Sequence, residues 1–206
     1  MPLIFYRSHT DVEVALWKAT ESLDFFREKL QEHEFDAEDG DAIAHPEKAL
    51  QWFASRYLLV EVFPAAIPFY KSRKPHLLNG PGISLSHSND VVGVLLSTGL
   101  AGLDVQVFTS KLERIRRKFT DDDEVARMGM EDRIAALALI WSVKEAVFKC
   151  YGTELPFKDI RITGHDMLRD RVQVEGQRRG RPFQHVLATK FLDDMAVAYV
   201  LLSDAQ

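Results

Sequence analysis

The chain has 206 residues, 46% of them apolar and 28% charged, with a formal net charge of −5. That length can bury a core as one large or two small domains, and the acidic balance argues against a general nucleic-acid binder while leaving room for a local basic site for a phosphorylated small molecule. A single cysteine, Cys150, excludes an intrachain disulfide framework and is read as a structural residue in a reducing compartment.

Residues 12–31 read as an amphipathic helix, with Val12, Val14, Leu16, Leu23, Phe26 and Leu30 set among charges. The acidic, Gly40-containing stretch 32–42 reads as a loop. Residues 46–62 form a second helical stretch opened by Pro46, with Leu50, Phe53, Ala54, Tyr57, Leu58 and Val60 as its apolar positions. Pro64, Pro68 and Pro75 punctuate a loop-rich passage that ends in the Asn79-Gly80-Pro81-Gly82 turn. The period then changes to two. Ile83–Ser88 alternates apolar residues with serine, and Val91–Ser97 and Leu103–Phe108 follow as strands that resemble a hairpin. A helix is expected after Thr120, with Asp123 as its capping-box acid, and another from near Met130 through Tyr151, stopped by Gly152. Strands at 159–163, 172–174, 183–188 and 195–202 complete the chain. The order implies an α+β protein of two lobes meeting near residue 100, residues 1–100 and 101–206, each an antiparallel sheet packed by helices. The apolar start, Met1–Tyr6, is too short for a signal peptide, and no run approaches the ~18 apolar residues of a membrane span, so a cytoplasmic protein is expected.

The anomaly lies in the last long helix. Ile134, Leu137, Ala138, Trp141 and Phe148 mark one apolar face, and Glu145 falls on it. A carboxylate there is costly unless a cation compensates it. In the strand at 103–107, Asp104 and Gln106 share one face and Leu103, Val105 and Val107 the other, with Gly102 marking a place where a backbone or ligand comes close. Asp104, Gln106 and Glu145 together form a hard-oxygen set suited to Mg²⁺ rather than zinc. An ion pair between Glu145 and a neighbouring Lys or Arg is the plainer alternative. Ser84, Ser86, His87 and Ser88 after the Gly-rich turn suit phosphate oxygens, or equally a polar sheet face. Lys71, Arg73 and Lys74 form a basic cluster for a polyanion or a solvated loop, with Arg56 on the helix before it. The acidic run Asp121–Glu124 lacks EF-hand spacing and is assigned to helix capping. No Walker A, GxGxxG, GxSxG or HExxH motif is present.

Trp141, Lys144, Glu145, Ala146 and Lys149, with Gly102-Leu103-Asp104-Val105-Gln106, Ser84-x-Ser86-His87-Ser88 and the degenerate Arg73-Lys74-Pro75, resemble in order and spacing the motifs of the 4′-phosphopantetheinyl transferase superfamily. The resemblance covers roughly residues 50–165, and the chain length is similar to the monomeric, two-lobed type that activates surfactin synthetase, with its site between the lobes. It implies Mg²⁺-dependent transfer of the 4′-phosphopantetheine of coenzyme A to a serine of an apo acyl or peptidyl carrier protein, with 3′,5′-ADP released. It further implies that Asp104, Gln106 and Glu145 serve the metal and that Glu145 accepts the serine proton. Lys149 would contact a phosphate, and Arg56, Lys74, Ser86 and His87 would hold coenzyme A. Lys144 would orient the site or pair with an acid. Gln106 departs from the family's usual Glu and removes one negative charge. The segment 108–130, with Arg114, Arg116, Arg117 and Lys118, is the expected carrier-docking surface. A non-catalytic coenzyme A or nucleotide-binding module is the alternative reading.

Overall fold

The computed structural model describes residues 2–64, 68–71, 74–77, 82–152 and 155–201. The chain divides into two compact units, Met1–Thr98 and Gly99–Gln206, each an antiparallel sheet packed by helices, so the class is α+β.

The first unit begins with β1 (Leu3–Ser8) and β2 (Val12–Lys18), followed by α1 (Leu23–Glu32), α2 (Glu38–Asp41) and α3 (Pro46–Val62). Next come the small hairpin of β3 (Pro68–Lys71) and β4 (Lys74–Leu77), then β5 (Gly82–Ser88) and β6 (Val91–Ser97). Its main sheet runs β1-β2-β6-β5. The helix expected over residues 12–31 is therefore half strand. Ala15 and Trp17 of β2 pack into the core with α3, while Val12, Val14 and Leu16 on its other face are also buried. A strand buried on both faces loses its two-residue alternation and cannot be told from a helix by periodicity. The helix starts only where Ser22 accepts a hydrogen bond from Phe25 N, a standard N-cap. Part of the expected loop at 32–42 is the single helical turn α2. The Asn79-Gly80-Pro81 portion of the expected turn lies outside the described residues.

The second unit begins with β7 (Leu103–Val107) and α4 (Lys111–Ile115), continues through a 3₁₀ turn at Arg116–Lys118, and then forms α5 (Asp122–Arg127) and α6 (Arg133–Tyr151). A 3₁₀ turn at Phe157–Asp159 leads into β8 (Ile160–Asp166), β9 (Arg171–Arg178), β10 (Arg181–Leu192) and β11 (Met195–Leu201). The sheet order is β7-β11-β10-β9-β8. The two units share a plan: an early strand, helices, then a last strand that returns beside the early one, β6 beside β2 and β11 beside β7. The hairpin expected between Val91–Ser97 and Leu103–Phe108 does not form. β6 pairs instead with β5 across a tight turn in which Asn89 takes a positive φ of 50°, and β7 pairs with β11.

Helix α6 is the spine of the second core. Asp132 caps it by accepting from Ile134 N and Ala135 N at 2.8 and 3.0 Å, and Gly152, at φ 73°, ends it. Ala135 through Ile140 are all buried, as are Val143, Ala146 and Val147, so the helix is covered on nearly every side. It lies against β7 and β11, where Ala196 and Ala198 keep the sheet surface low. Gly102 makes the approach closer still. A Cβ built there would collide with the Ala146 carbonyl oxygen and stand 2.6 Å from Cys150 Sγ. The backbone that comes close to Gly102 is thus α6 itself.

Because the collision is with helix backbone, Gly102→Ala is expected to lower stability by about 1–3 kcal/mol, as overpacking does. The check is the urea unfolding midpoint of the variant against the wild type; an unchanged midpoint would show that α6 can move aside freely.

Candidate active site

The arrangement follows from strand and helix geometry. Asp104 and Gln106, two residues apart on β7, project to the same face, opposite Ala198 and Ala196 of β11. Lys149 lies one helical turn beyond Glu145 on α6. Its ammonium donates to Asp104 Oδ1 and to the Leu103 carbonyl, both at 2.8 Å. Asp104 is 6% exposed, so this ion pair is largely shielded from water. An ammonium has three donors, and these contacts use two of them.

Glu145 stands beside this pair. It lies with Trp141 and Phe148 on the half-buried face of α6, not on the deepest stripe, which belongs to Leu139, Val143, Ala146 and Val147. Among the described residues it makes no side-chain hydrogen bond and no ion pair within bonding distance. Burial pushes its carboxyl above the ordinary range, the Asp104 charge pushes it further, and Lys149 opposes both. Lys149 is bonded to Asp104 alone and acts on Glu145 only through its charge. Gln106 is half-buried on the same side as Asp104 and spends its amide nitrogen on the Val107 carbonyl at 2.8 Å, a contact that orients its side chain. Among the described residues there is no cluster of three His, Cys, Asp or Glu side chains. The donor set is two carboxylates and an amide, a chemistry that fits a hard divalent cation whose remaining positions are taken by water and phosphate oxygens.

Lys144, adjacent in sequence to Glu145, points elsewhere. It is 2% exposed, and its ammonium donates to Glu124 Oε2 and to the Phe119 carbonyl, both at 2.7 Å. Glu124 is itself 6% exposed and accepts also from Thr120 Oγ1 and Ile162 N, both at 2.9 Å. One buried pair thus ties α6, α5 and β8 together. Burial holds the Lys144 ammonium below its ordinary value against the opposing pull of Glu124. The capping role expected for the acidic run belongs to Asp121, which accepts from Glu124 N at 2.8 Å; Asp123 is exposed and is not the cap. Nothing local in the sequence marks Glu124 off from the acids before it; only burial does.

Apart from Lys149, the residues expected to hold coenzyme A lie in the first unit. Arg56 is buried in α3, stacked 4.4 Å over the Trp52 ring, with Nη1 donating to Ser55 Oγ at 2.8 Å; burial lowers its pKa to about 10. These contacts lie within α3 itself. On β5, Ser84 and Ser86 are buried on one face, and His87 is exposed on the other. Lys74 opens β4, but its side chain, like those of Lys71 and Arg73, lies outside what is described. In the 108–130 segment, Arg114, Arg117 and Lys118 are exposed, whereas Arg116 is tied to Glu113 at 3.0 Å and Asp122 at 2.7 Å.

Residues 101–200, nearly all of the second unit and all of the Asp104, Glu145 and Lys149 arrangement, match the family model of the 4′-phosphopantetheinyl transferase superfamily. No curated protein matches the chain. Among the described residues no helix is long and apolar enough to cross a membrane.

Two outcomes test this electrostatic account. Removing one partner of the buried pair, Lys144→Met or Glu124→Leu, is expected to cost about 3–5 kcal/mol, and the double variant less than the sum of the two, because no orphan charge remains. Chemical denaturation of the three variants measures this, and strict additivity would contradict it. For Glu145 the raised pKa means that the folded state holds the proton more tightly than the unfolded chain, so ionisation destabilises the fold as pH rises through the shifted value. In metal-free buffer Glu145→Gln should therefore raise the melting temperature at pH 8, and the gain should disappear as pH falls towards the ordinary carboxyl value of 4.5. A gain independent of pH would point to packing instead.

Proposed function

We propose that the protein transfers the 4′-phosphopantetheine arm of coenzyme A to a serine hydroxyl of an apo carrier protein, as the two-lobed members of the superfamily do. The observation that carries this reading is the Lys149–Asp104 ion pair, with the partly buried carboxyl of Glu145 under the electrostatic influence of both, within the segment that matches the family.

In this reading Asp104 and Glu145, with the Gln106 amide oxygen nearby, hold a Mg²⁺ ion. When bound, the ion would neutralise and orient the pyrophosphate of coenzyme A. Glu145 accepts the hydroxyl proton of the carrier serine; in the protein alone, burial and the Asp104 charge already make this carboxylate more basic than usual. The serine oxygen bonds to the β-phosphorus, the bond from that phosphorus to the bridging oxygen breaks, and 3′,5′-ADP leaves with the electron pair. Lys149, fixed by Asp104 and Leu103, directs its remaining donor at the phosphate charge that builds up. With the neutral Gln106, two protein carboxylates would hold the ion, and water and substrate oxygens would supply its other ligands. In the first unit, Ser86, His87 and Lys74 are the residues proposed to contact coenzyme A. Carrier docking is assigned to the 108–130 segment through Arg114, Arg117 and Lys118, which would face an acidic carrier helix. The working state proposed is a cytoplasmic monomer, serving fatty-acid, polyketide or nonribosomal peptide assembly.

The test is labelling of a panel of purified apo carrier proteins with a fluorescent coenzyme A. Asp104→Ala and Glu145→Ala are each expected to reduce labelling by about 10²-fold or more, and chelation of divalent metal to abolish it reversibly. Wild-type labelling in both variants would sink the proposal. Tight coenzyme A binding with no turnover on any carrier would favour the non-catalytic module that the neutral Gln106 allows.

A further inference from the structure

A cavity of about 310 Å³ lies within the second unit. Its walls are α5, β8 and the two 3₁₀ turns at 116–118 and 157–159, and its floor is the buried Lys144–Glu124 pair. That volume is at the low end of small-molecule sites, which run from about 300 to 1,000 Å³.

The charges around it do not balance. Glu124 and Lys144 cancel each other at 2.7 Å. Asp121 and Asp123 are the remaining acids, and Asp121 already accepts the hydrogen bond of Glu124 N. Against these two stand four cations, Arg117, Arg127, Lys158 and Arg161. Arg127 directs one guanidinium nitrogen at the Ile162 carbonyl, 2.8 Å away. Arg117, Lys158 and Arg161 are exposed, come from three different elements, and enter no ion pair among the described residues. Outside the lining, Arg161 stands opposite Glu175 of β9 in the sheet register; within the lining four cations face two acids, and like charges so gathered repel one another.

We propose that this cavity is a binding site for a dianionic phosphate group, such as that of a small phosphate monoester. The two-charge surplus matches the charge of about −1.5 to −2 that a phosphate monoester carries at pH 7, whereas a carboxylate would compensate only half of it. Guanidinium forks from Arg161 and Arg117 suit phosphate oxygens in a way that single-point cations do not, and Lys158 adds one point charge between them. The acids lie on the α5 side, so the phosphate sits toward β8 and the 157–159 turn, and the ester group faces α5. The site is separate from the Asp104 and Glu145 arrangement; only Arg117 also belongs to the proposed docking segment, and the test below does not use it.

The experiment is calorimetric titration of the full chain with inorganic phosphate and with glycerol 2-phosphate, at constant ionic strength. Saturable binding of one equivalent is expected, weakened about tenfold for the monoanion methyl sulfate. The variant Lys158→Ala/Arg161→Ala should weaken phosphate binding by at least about tenfold, since a charge-assisted hydrogen bond contributes about 1.5 kcal/mol or more. Arg161→Gln, a single exposed change, should show a smaller loss in the same direction and serves if the double variant is unstable. Asp104→Ala should bind phosphate as the wild type does, which separates this site from the proposed active site. Tighter binding of glycerol 2-phosphate than of phosphate identifies a phosphorylated small molecule as the ligand, and equal binding identifies free phosphate. Absence of saturable binding, or wild-type affinity in the Lys158 and Arg161 variants, would overturn the proposal.

Discussion

The ammonium of Lys149, held between a carboxylate and a carbonyl of β7, is the contact on which the candidate site depends. It joins the helix that carries Glu145 to the strand that carries Asp104 and Gln106. The contact is possible because α6 lies unusually close to the start of the strand, and that closeness needs Gly102 to have no side chain. Ala196 and Ala198 on the neighbouring strand serve the same end, since larger residues would lift the helix away from Asp104. Backbone approach, small residues and one ion pair therefore act together. None of them would bring the two carboxylates into mutual electrostatic reach alone.

The same helix treats two adjacent charges in opposite ways. Lys144 turns inward and is answered by Glu124 and the Phe119 carbonyl, while Glu124 accepts also from Thr120 Oγ1 and Ile162 N. Glu145, about 100° further round the helix, is answered only through the charge of a lysine that is bonded to Asp104. A charge neutralised within the protein makes the helix rigid and specific in position. A charge left incompletely compensated raises its own proton affinity and favours any cation brought to it. The division between anchoring and reactive groups thus runs through two consecutive residues.

Much of this was legible beforehand, for identifiable reasons. Period-two alternation marked β5, the Asp132-to-Gly152 span carried strong start and stop signals, and Pro46 marked the first turn of α3. Asp104, Glu145 and Lys149 stand out in the sequence as candidates because charged residues at helix and strand spacing on apolar segments are rare. What escaped were features that depend on partners distant in the chain. β2 reads as helix in the sequence because both its faces are buried. β6 and β7 read as a hairpin because they are consecutive, although β6 lies between β5 and β2 and β7 pairs with β11.

By itself the sequence determined the α+β class, the limits of the long helices, and the spacing that puts Glu145 and Lys149 one turn apart and Asp104 and Gln106 on one strand face. Those are consequences of local geometry, 3.6 residues per helical turn and two per strand repeat, and they need no knowledge of the rest of the chain. Only the tertiary structure decided which charges meet. It paired Lys149 with Asp104 and Lys144 with Glu124, buried Arg56, and gathered Arg117, Lys158 and Arg161 around one cavity. Such pairings follow from which surfaces the packed sheet and helices remove from water, and burial of that kind is a property of the whole fold.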